Sequence, residues 1–432
     1  MASDAAALLE ETRAALDELG VAARPTVQGS VAKGTWLRGS ADIDLFLLLD
    51  PSTDPVRMET LAQQVGRRVL TATRRRYAQH PYLVGEHRGR TVDLVPACAV
   101  EAAGDHMSAV DRTPFHTAWV REHLDEAARD QVRLLKQWMK GTGVYGAETA
   151  VGGLSGYLVE VLTARFGGFD AVVDWLADGA HPRRLALGDD HVEDEVSPLL
   201  VADPVDPARN CAAAVQEETL ARAVEAARAY RDGPGPAFFF PAPPRPEPRA
   251  ILKAALARQG AVWIGLQVGP KTDRLDIVLP QFQKAGRQVA HGFADAGFPV
   301  HRWDVHAYAD DTRIGFQWIV EDRQLPATRI HEGPAADAGE HAERFRAKWS
   351  GHPSAAGAVT AAEDGRLHVR LRVAERTPHE WISTHGLRHL TGKHVQQALA
   401  ARPPLLSSPG QVDPAWAPRV ADVVLDRRPW ER

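Results

Sequence analysis

The sequence predicts an α+β protein of several domains, and three observations carry that expectation. Helical and strand patterns alternate through residues 1–123. A run dominated by helical patterns follows from about 124 to 235. A proline-rich break then gives way to mixed strands and helices. A chain of 432 residues fits roughly three domains at ~150 residues each. The expected boundaries are 1–123, 124–238 and 247–432.

The first element is an N-terminal helix with Ser3-Asp4 as its cap. Leu8, Leu9, Thr12, Leu16 and Leu19 lie along one side. Residues 45–49 form a continuous apolar run, as a buried strand requires. Arg74, Arg75 and Arg76 are read late in a helical stretch. There they complement the helix dipole or supply a phosphate-facing patch. A short β-branched run with Asp93 at its middle follows the Gly89 turn. Residues 129–140, 157–165 and 211–230 read as helices. Residues 232–246, with their repeated prolines, read as a semi-rigid linker. Beyond it, 261–266 and 312–320 read as strands, and 280–292 and 340–349 as helices.

Composition excludes several classes. Apolar residues make up 44% and charged residues 25%, ordinary globular values. No window approaches the ~20 apolar residues of a membrane span, and the N-terminus lacks a signal peptide's pattern. The two cysteines, Cys98 and Cys211, have no metal-site spacing, so a reducing cytoplasm is expected. A net charge of −5 does not favour a nucleic-acid partner, but phosphate neutralisation is local. Basic clusters occur at 67–68, 74–76, 183–184 and around Lys393.

The chemistry concentrates in residues 29–46. A Gly29-Ser30 turn, Lys33 and the Asp42-x-Asp44 pair are the parts that hold a triphosphate and its metal ions. In a strand, Asp42 and Asp44 project from one face. Two carboxylates held together repel, and a divalent cation relieves them; hard oxygen ligands favour Mg²⁺ or Mn²⁺. If the Asp93 strand pairs near the first, Asp93 completes a three-carboxylate cluster. Two ions roughly 3.5–4 Å apart then stabilise an in-line phosphoryl displacement. Taken alone, Asp-x-Asp reads more readily as a turn residue and an edge-strand charge, and the upstream Gly29-Ser30 with the later Thr91-Val92-Asp93 reverse that reading.

The pattern Gly-Ser-x-Ala-x-Gly-Thr-x-Leu-x-Gly-x-x-Asp-x-Asp resembles the signature of the DNA polymerase β-like nucleotidyltransferases. Its wording here resembles the class I, archaeal-type CCA-adding enzymes. Further blocks are similar to that family in order: residues 77–82, 92–96, 112–117, 132–136, 143–148, 154–158, 201–210 and 383–385. The resemblance implies a mixed-sheet palm, a helical central domain and an α+β C-terminal RNA-binding region. It implies addition of C, C and A to the tRNA 3′ end from CTP and ATP. It also implies two Mg²⁺ ions on Asp42, Asp44 and Asp93, the catalytic acids. Ser30, Lys33, His116, Lys136 and Tyr145 would bind the triphosphate and ribose, and Arg209 would read the base. Lys33 departs from the arginine of some relatives, losing the bidentate fork. Partners implied are tRNA, held by acceptor stem and T-arm, and nucleoside triphosphates; a homodimer is left open. The alternatives are another RNA-tailing enzyme, an inactive RNA-binding relative and a small-molecule nucleotidyltransferase. The long C-terminal part argues against the last.

Overall fold

The structure is a computed structural model. It describes all residues except 41, 78–80, 106–107, 180–183, 186–195, 271, 273–274 and 309–311. Ala41 of the signature, residues 78–80 of the second block and Arg183 of a basic cluster therefore lie outside the described residues. The chain divides into two compact units, Met1–Ala242 with Pro429–Arg432, and Pro243–Arg428.

The first unit opens with helix α1 (Ala2–Leu19), which buries Leu8, Thr12 and Leu16. The helix begins at least two residues earlier than expected, with Met1 at the cap position, and no side chain caps it, Ser3 included. Strand β1 (Arg24–Gln28) runs into the one-turn helix α2 (Gly29–Lys33). Strand β2 (Ile43–Leu49) is apolar and buried along its length apart from Asp44. Helix α3 (Pro55–Val69) is capped by Asp54, whose carboxylate accepts from the Val56 and Arg57 amides. Strands β3 (Thr71–Tyr77), β4 (Pro81–His87) and β5 (Arg90–Cys98) complete a sheet of order β1-β2-β5-β4-β3. Arg74, Arg75 and Arg76 thus sit on an edge strand, not late in a helix. The helix ends at Val69, and Thr71 and Thr73 with their branched Cβ atoms favour extended backbone.

Helices α4 (Thr113–His123), α5 (Glu126–Thr142), α6 (Gly156–Phe166), α7 (Phe169–Asp178) and α8 (Glu217–Asp232) form the helical part. Its core joins Val132, Leu135, Trp138, Leu158, Leu162, Val172 and Ala226. This region is not wholly helical. Strands β6 (Arg184–Leu185), β7 (Leu200–Asp203) and β8 (Asp206–Asn210) form a small sheet. The helix expected from residue 211 starts at Glu217. Asn210 accounts for the delay: its side chain accepts from the Val201 and Ala212 amides and holds the chain in a turn. The start of the expected linker is not free either. Phe238 is buried and stacks on Trp430 with ring centroids 5.4 Å apart.

The second unit carries helices α9 (Arg249–Gln259), α10 (Leu275–Asp295), α11 (Glu340–Trp349), α12 (Pro378–Thr384), α13 (Lys393–Leu399) and α14 (Ala417–Leu425). Strands β9 (Ala261–Val268), β10 (Val300–Ala307), β11 (Ile314–Glu321) and β15 (Leu405–Leu406) form a sheet of order β10-β11-β9-β15. Phe282, Phe293, Phe316 and Trp318 fill its core against α10. Strands β12 (Thr328–Ala335), β13 (Thr360–Ala361) and β14 (Arg366–Arg372) form a second sheet backed by α11. No helix among the described residues is long and apolar enough to cross a membrane.

Candidate active site

The sheet register builds the first part of the site. Strand β2 pairs in parallel with β5, and Asp44 stands directly opposite Asp93. On its other side β2 pairs with β1, where Asp44 faces Gln28, the residue before the Gly29 turn. Gly29 has φ +64, and a Cβ placed there would lie 1.8 Å from Asp44 Oδ2. Only glycine lets the backbone approach the carboxylate this closely. Burial, with the charge of Asp93 and then Asp42 added, pushes the Asp44 carboxyl up to about 7, although Lys33 opposes the rise.

Asp42 is exposed and lies one residue before the strand begins. Beside it opens a polar cavity of about 360 Å³, whose lining includes Trp36, Arg38, Ser40, Arg90 and Thr91. The structure therefore brings Asp44 and Asp93 together and leaves Asp42 at the rim. Among the described residues, no three His, Cys, Asp or Glu side chains already converge to hold an ion. The chemistry of the acids nevertheless fits a divalent cation. A half-buried carboxyl pushed toward neutrality by desolvation and by two neighbouring acids is the electrostatic cost that such a cation relieves.

A second part lies around Glu160, which the sequence reading did not single out. Lys33 Nζ donates to Glu160 Oε2 at 2.8 Å, and Lys136 Nζ donates to Oε1 at 2.8 Å. Thr35 donates its hydroxyl to the same Oε1, and Lys136 also reaches Thr35 Oγ1 at 3.0 Å. All four residues are buried. Burial alone would raise the Glu160 carboxyl, but the two ammonium groups hold it down at about 2. Burial also lowers Lys136 from the usual lysine range, against the pull of Glu160. Two cations on one anion leave a net positive charge, a fit for phosphate oxygens. The signal for Glu160 was a lone acid inside the apolar run 158–162.

Tyr145 borders this cluster, and the Thr35 amide donates to the Ser30 carbonyl at 3.0 Å. A Cβ at Gly156 would lie 2.9 Å from the Tyr145 hydroxyl and 3.6 Å from Lys136 Nζ, so a glycine keeps that corner open. Burial, then the charges of Glu160 and Glu148, push the Tyr145 hydroxyl up to about 12, which keeps it a neutral donor. Ser30 is partly buried in α2, beside Gly29.

A third part centres on Asp203, at the end of β7. Its Oδ2 lies 2.9 Å from His116 Nε2 and accepts from Arg209 Nη1 at 2.8 Å. Its Oδ1 accepts from the Tyr157 hydroxyl at 3.0 Å and the Val205 amide at 3.1 Å. The His116 ring stacks on Tyr157 at 3.9 Å, and Lys33 Nζ lies 5.2 Å over the same tyrosine ring. Tyr157 thereby links the Asp203 and Glu160 clusters. Burial lowers His116 from its ordinary value, with Asp203 opposing. Asp203, Tyr157 and Thr35 were also missed as site residues. Asp203 ends an apolar run, 199–202, and that abrupt acid was the available signal.

Comparison with known proteins adds independent findings. Residues 9–116 match the family model described as nucleotidyltransferase domain. Residues 130–240 match tRNA nucleotidyltransferase, second domain, and 271–407 match CCA-adding enzyme, C-terminal domain. A CCA-adding enzyme of Halobacterium salinarum is 38% identical over 345 residues, covering 80% of this chain and 76% of that protein. That of Haloarcula marismortui is 36% identical, covering 81% and 78%. That of Methanoregula boonei is 34% identical, covering 90% and 84%. The chain, with its nucleotidyltransferase domain, belongs to the archaeal-type family of CCA-adding enzymes.

Proposed function

We propose that this chain is a template-independent tRNA nucleotidyltransferase, adding C, C and A to the 3′ end from CTP and ATP. The observation that carries the reading is the in-register pairing of Asp44 with Asp93, in a chain related over most of its length to CCA-adding enzymes.

In this reading Asp42, Asp44 and Asp93 would hold Mg²⁺, which when bound lowers the pKa of the attacking hydroxyl and offsets charge on the leaving pyrophosphate. Lys33 and Lys136, pre-set on Glu160, present fixed positive charge to the triphosphate. Their placement needs no rearrangement when charge develops, and that is where such catalysis gains most. Ser30, His116 and Tyr145 orient the triphosphate and ribose, and Arg209 contacts the base. Residues 1–123 form the catalytic domain and 124–238 the nucleotide-handling domain. Residues 247–432 hold acceptor stem and T-arm by shape and phosphate contacts, as A-form RNA requires. The enzyme works in the cytoplasm, as a monomer or homodimer.

One assay tests the reading. Purified protein with Mg²⁺ and tRNA lacking its terminal CCA should incorporate CTP and then ATP. Incorporation of other nucleotides would make it a different RNA-tailing enzyme. Acceptance of RNA without an acceptor stem would sink the tRNA assignment.

A further inference from the structure

We infer that Asp203 is a positioning residue for base selection, which holds the guanidinium of Arg209 in one orientation toward the incoming nucleotide. This rests on the reading of Arg209 as the residue that contacts the base. The argument begins with burial. The Asp203 side chain is fully buried, while the Arg209 side chain is about a third exposed. One edge of the fork is thus anchored inside the protein, and its outer edge is open to a ligand. A guanidinium is planar with five donors in fixed relation, so fixing one Nη fixes the direction of the rest.

The carboxylate is itself held from four directions. Tyr157 and the Val205 amide donate to Oδ1, and Oδ2 takes His116 together with Arg209. Burial alone would raise Asp203, but these partners hold it at about 2, so it is ionised and can only accept. His116 must then carry its proton on Nε2. One oxygen therefore orients a residue expected at the triphosphate and another expected at the base. These residues come from three separate segments, α4, β7 and β8. The short hairpin turn fixes their spacing, because Asp203 pairs with Asp206 three residues before Arg209.

Asp203→Asn conserves volume but removes the charge that holds Arg209 and puts a donor either against Arg209 and His116 or against Tyr157 and the Val205 amide. The measurement is kcat/KM for CTP against UTP on tRNA lacking its terminal CCA. The chains compared are the unsubstituted protein, Asp203→Asn, Arg209→Lys and Arg209→Ala. Asp203→Asn should cut the CTP/UTP preference about tenfold or more, on the scale of one charge-assisted hydrogen bond. Arg209→Lys, which keeps the charge and loses the fork, should do the same. A purely structural Asp203 would instead slow CTP and UTP by the same factor, and that result would overturn the inference. If Asp203→Asn does not fold, Arg209→Lys decides: an unchanged preference overturns the role of orientation. Arg209→Ala separates the two readings. An unchanged preference there removes Arg209 from base contact. A lost preference there, kept in Asp203→Asn and Arg209→Lys, removes only Asp203.

Discussion

Glu160 and Lys33 are 127 residues apart in sequence and 2.8 Å apart in space, both buried. With Lys136 on the other carboxylate oxygen, the signature helix α2 is fastened to α5 and α6. Removing the acid leaves two buried ammonium groups without a counter-charge. Glu160→Ala should therefore lower the unfolding free energy by about 3–5 kcal/mol at neutral pH. Urea denaturation measures it, and a loss below about 1 kcal/mol would remove the cluster from the stability account.

The same carboxylate makes a pH prediction. Its folded value is depressed to about 2 from 4.5, and that of Asp203 to about 2 from 3.8. A depressed acid contributes stability that is full above its unfolded value and disappears as pH falls through the folded one. Stability should hold above roughly pH 5 and decline steadily toward pH 2. In Glu160→Gln the decline should be shallower. Equal slopes for the two proteins would place the acid sensitivity elsewhere.

Gly29 is tightly constrained against the Asp44 carboxylate. Its positive φ and the 1.8 Å approach of any Cβ to Asp44 Oδ2 leave no room for alanine. Gly29→Ala should displace the Asp44 carboxylate and cut the transfer rate at least about 100-fold, as a misplaced reacting group does. Circular dichroism should remain native. Near-normal turnover would show that the carboxylate has freedom that this geometry denies it.

Asp44 and Asp93 face each other across one parallel ladder, so each should be indispensable for chemistry and dispensable for RNA binding. Asp93→Asn and Asp44→Asn should each lower single-turnover transfer by on the order of 10³-fold, with the tRNA Kd little changed. Chelation of divalent ions should abolish transfer in the unsubstituted protein, and added Mg²⁺ should restore it. A turnover that survives chelation would refute the metal reading.

The parts of the site that lie on one short segment were legible in the sequence. Gly29 and Asp44 follow from local pattern, whereas Asp93 is expected beside them only if its strand pairs with theirs, and the β2–β5 register supplies that pairing. Helix α11 likewise matches the span expected from local pattern. What was not legible depends on distant partners. Lys33 and Lys136 read as triphosphate-binding charges, but the Glu160 carboxylate that holds both is a contact no local periodicity encodes. Asp203 is similar, since its role appears only when α4 brings His116 to the end of β7. Arg74 to Arg76 were misread because charge at a helix end and charge on an edge strand look alike in sequence.

The second unit has its own ion pair, with Asp304 largely enclosed and Arg419 partly exposed, and it predicts which segment unfolds first there. Arg419 in α14 donates from Nη2 to Asp304 Oδ1 at 2.6 Å and from Nε to Oδ2 at 3.1 Å. His306 approaches Oδ2 at 3.0 Å, and Gln317 donates to it at 3.2 Å while accepting from Trp263. Burial would raise the Asp304 carboxyl, but Arg419 and His306 hold it far below the usual range. The pair therefore fastens α14 to β10 and β11 at every pH above the ordinary aspartate range. Asp304→Ala leaves the buried Gln317 without its acceptor and the partly exposed Arg419 without its counter-charge, and should cost about 1–3 kcal/mol. Hydrogen exchange should quicken first in Ala417–Leu425 and then in β10, with α5 and α6 still protected. Unchanged protection of α14 would mean that its apolar face, Val420, Ala421 and Val424, holds it without the ion pair.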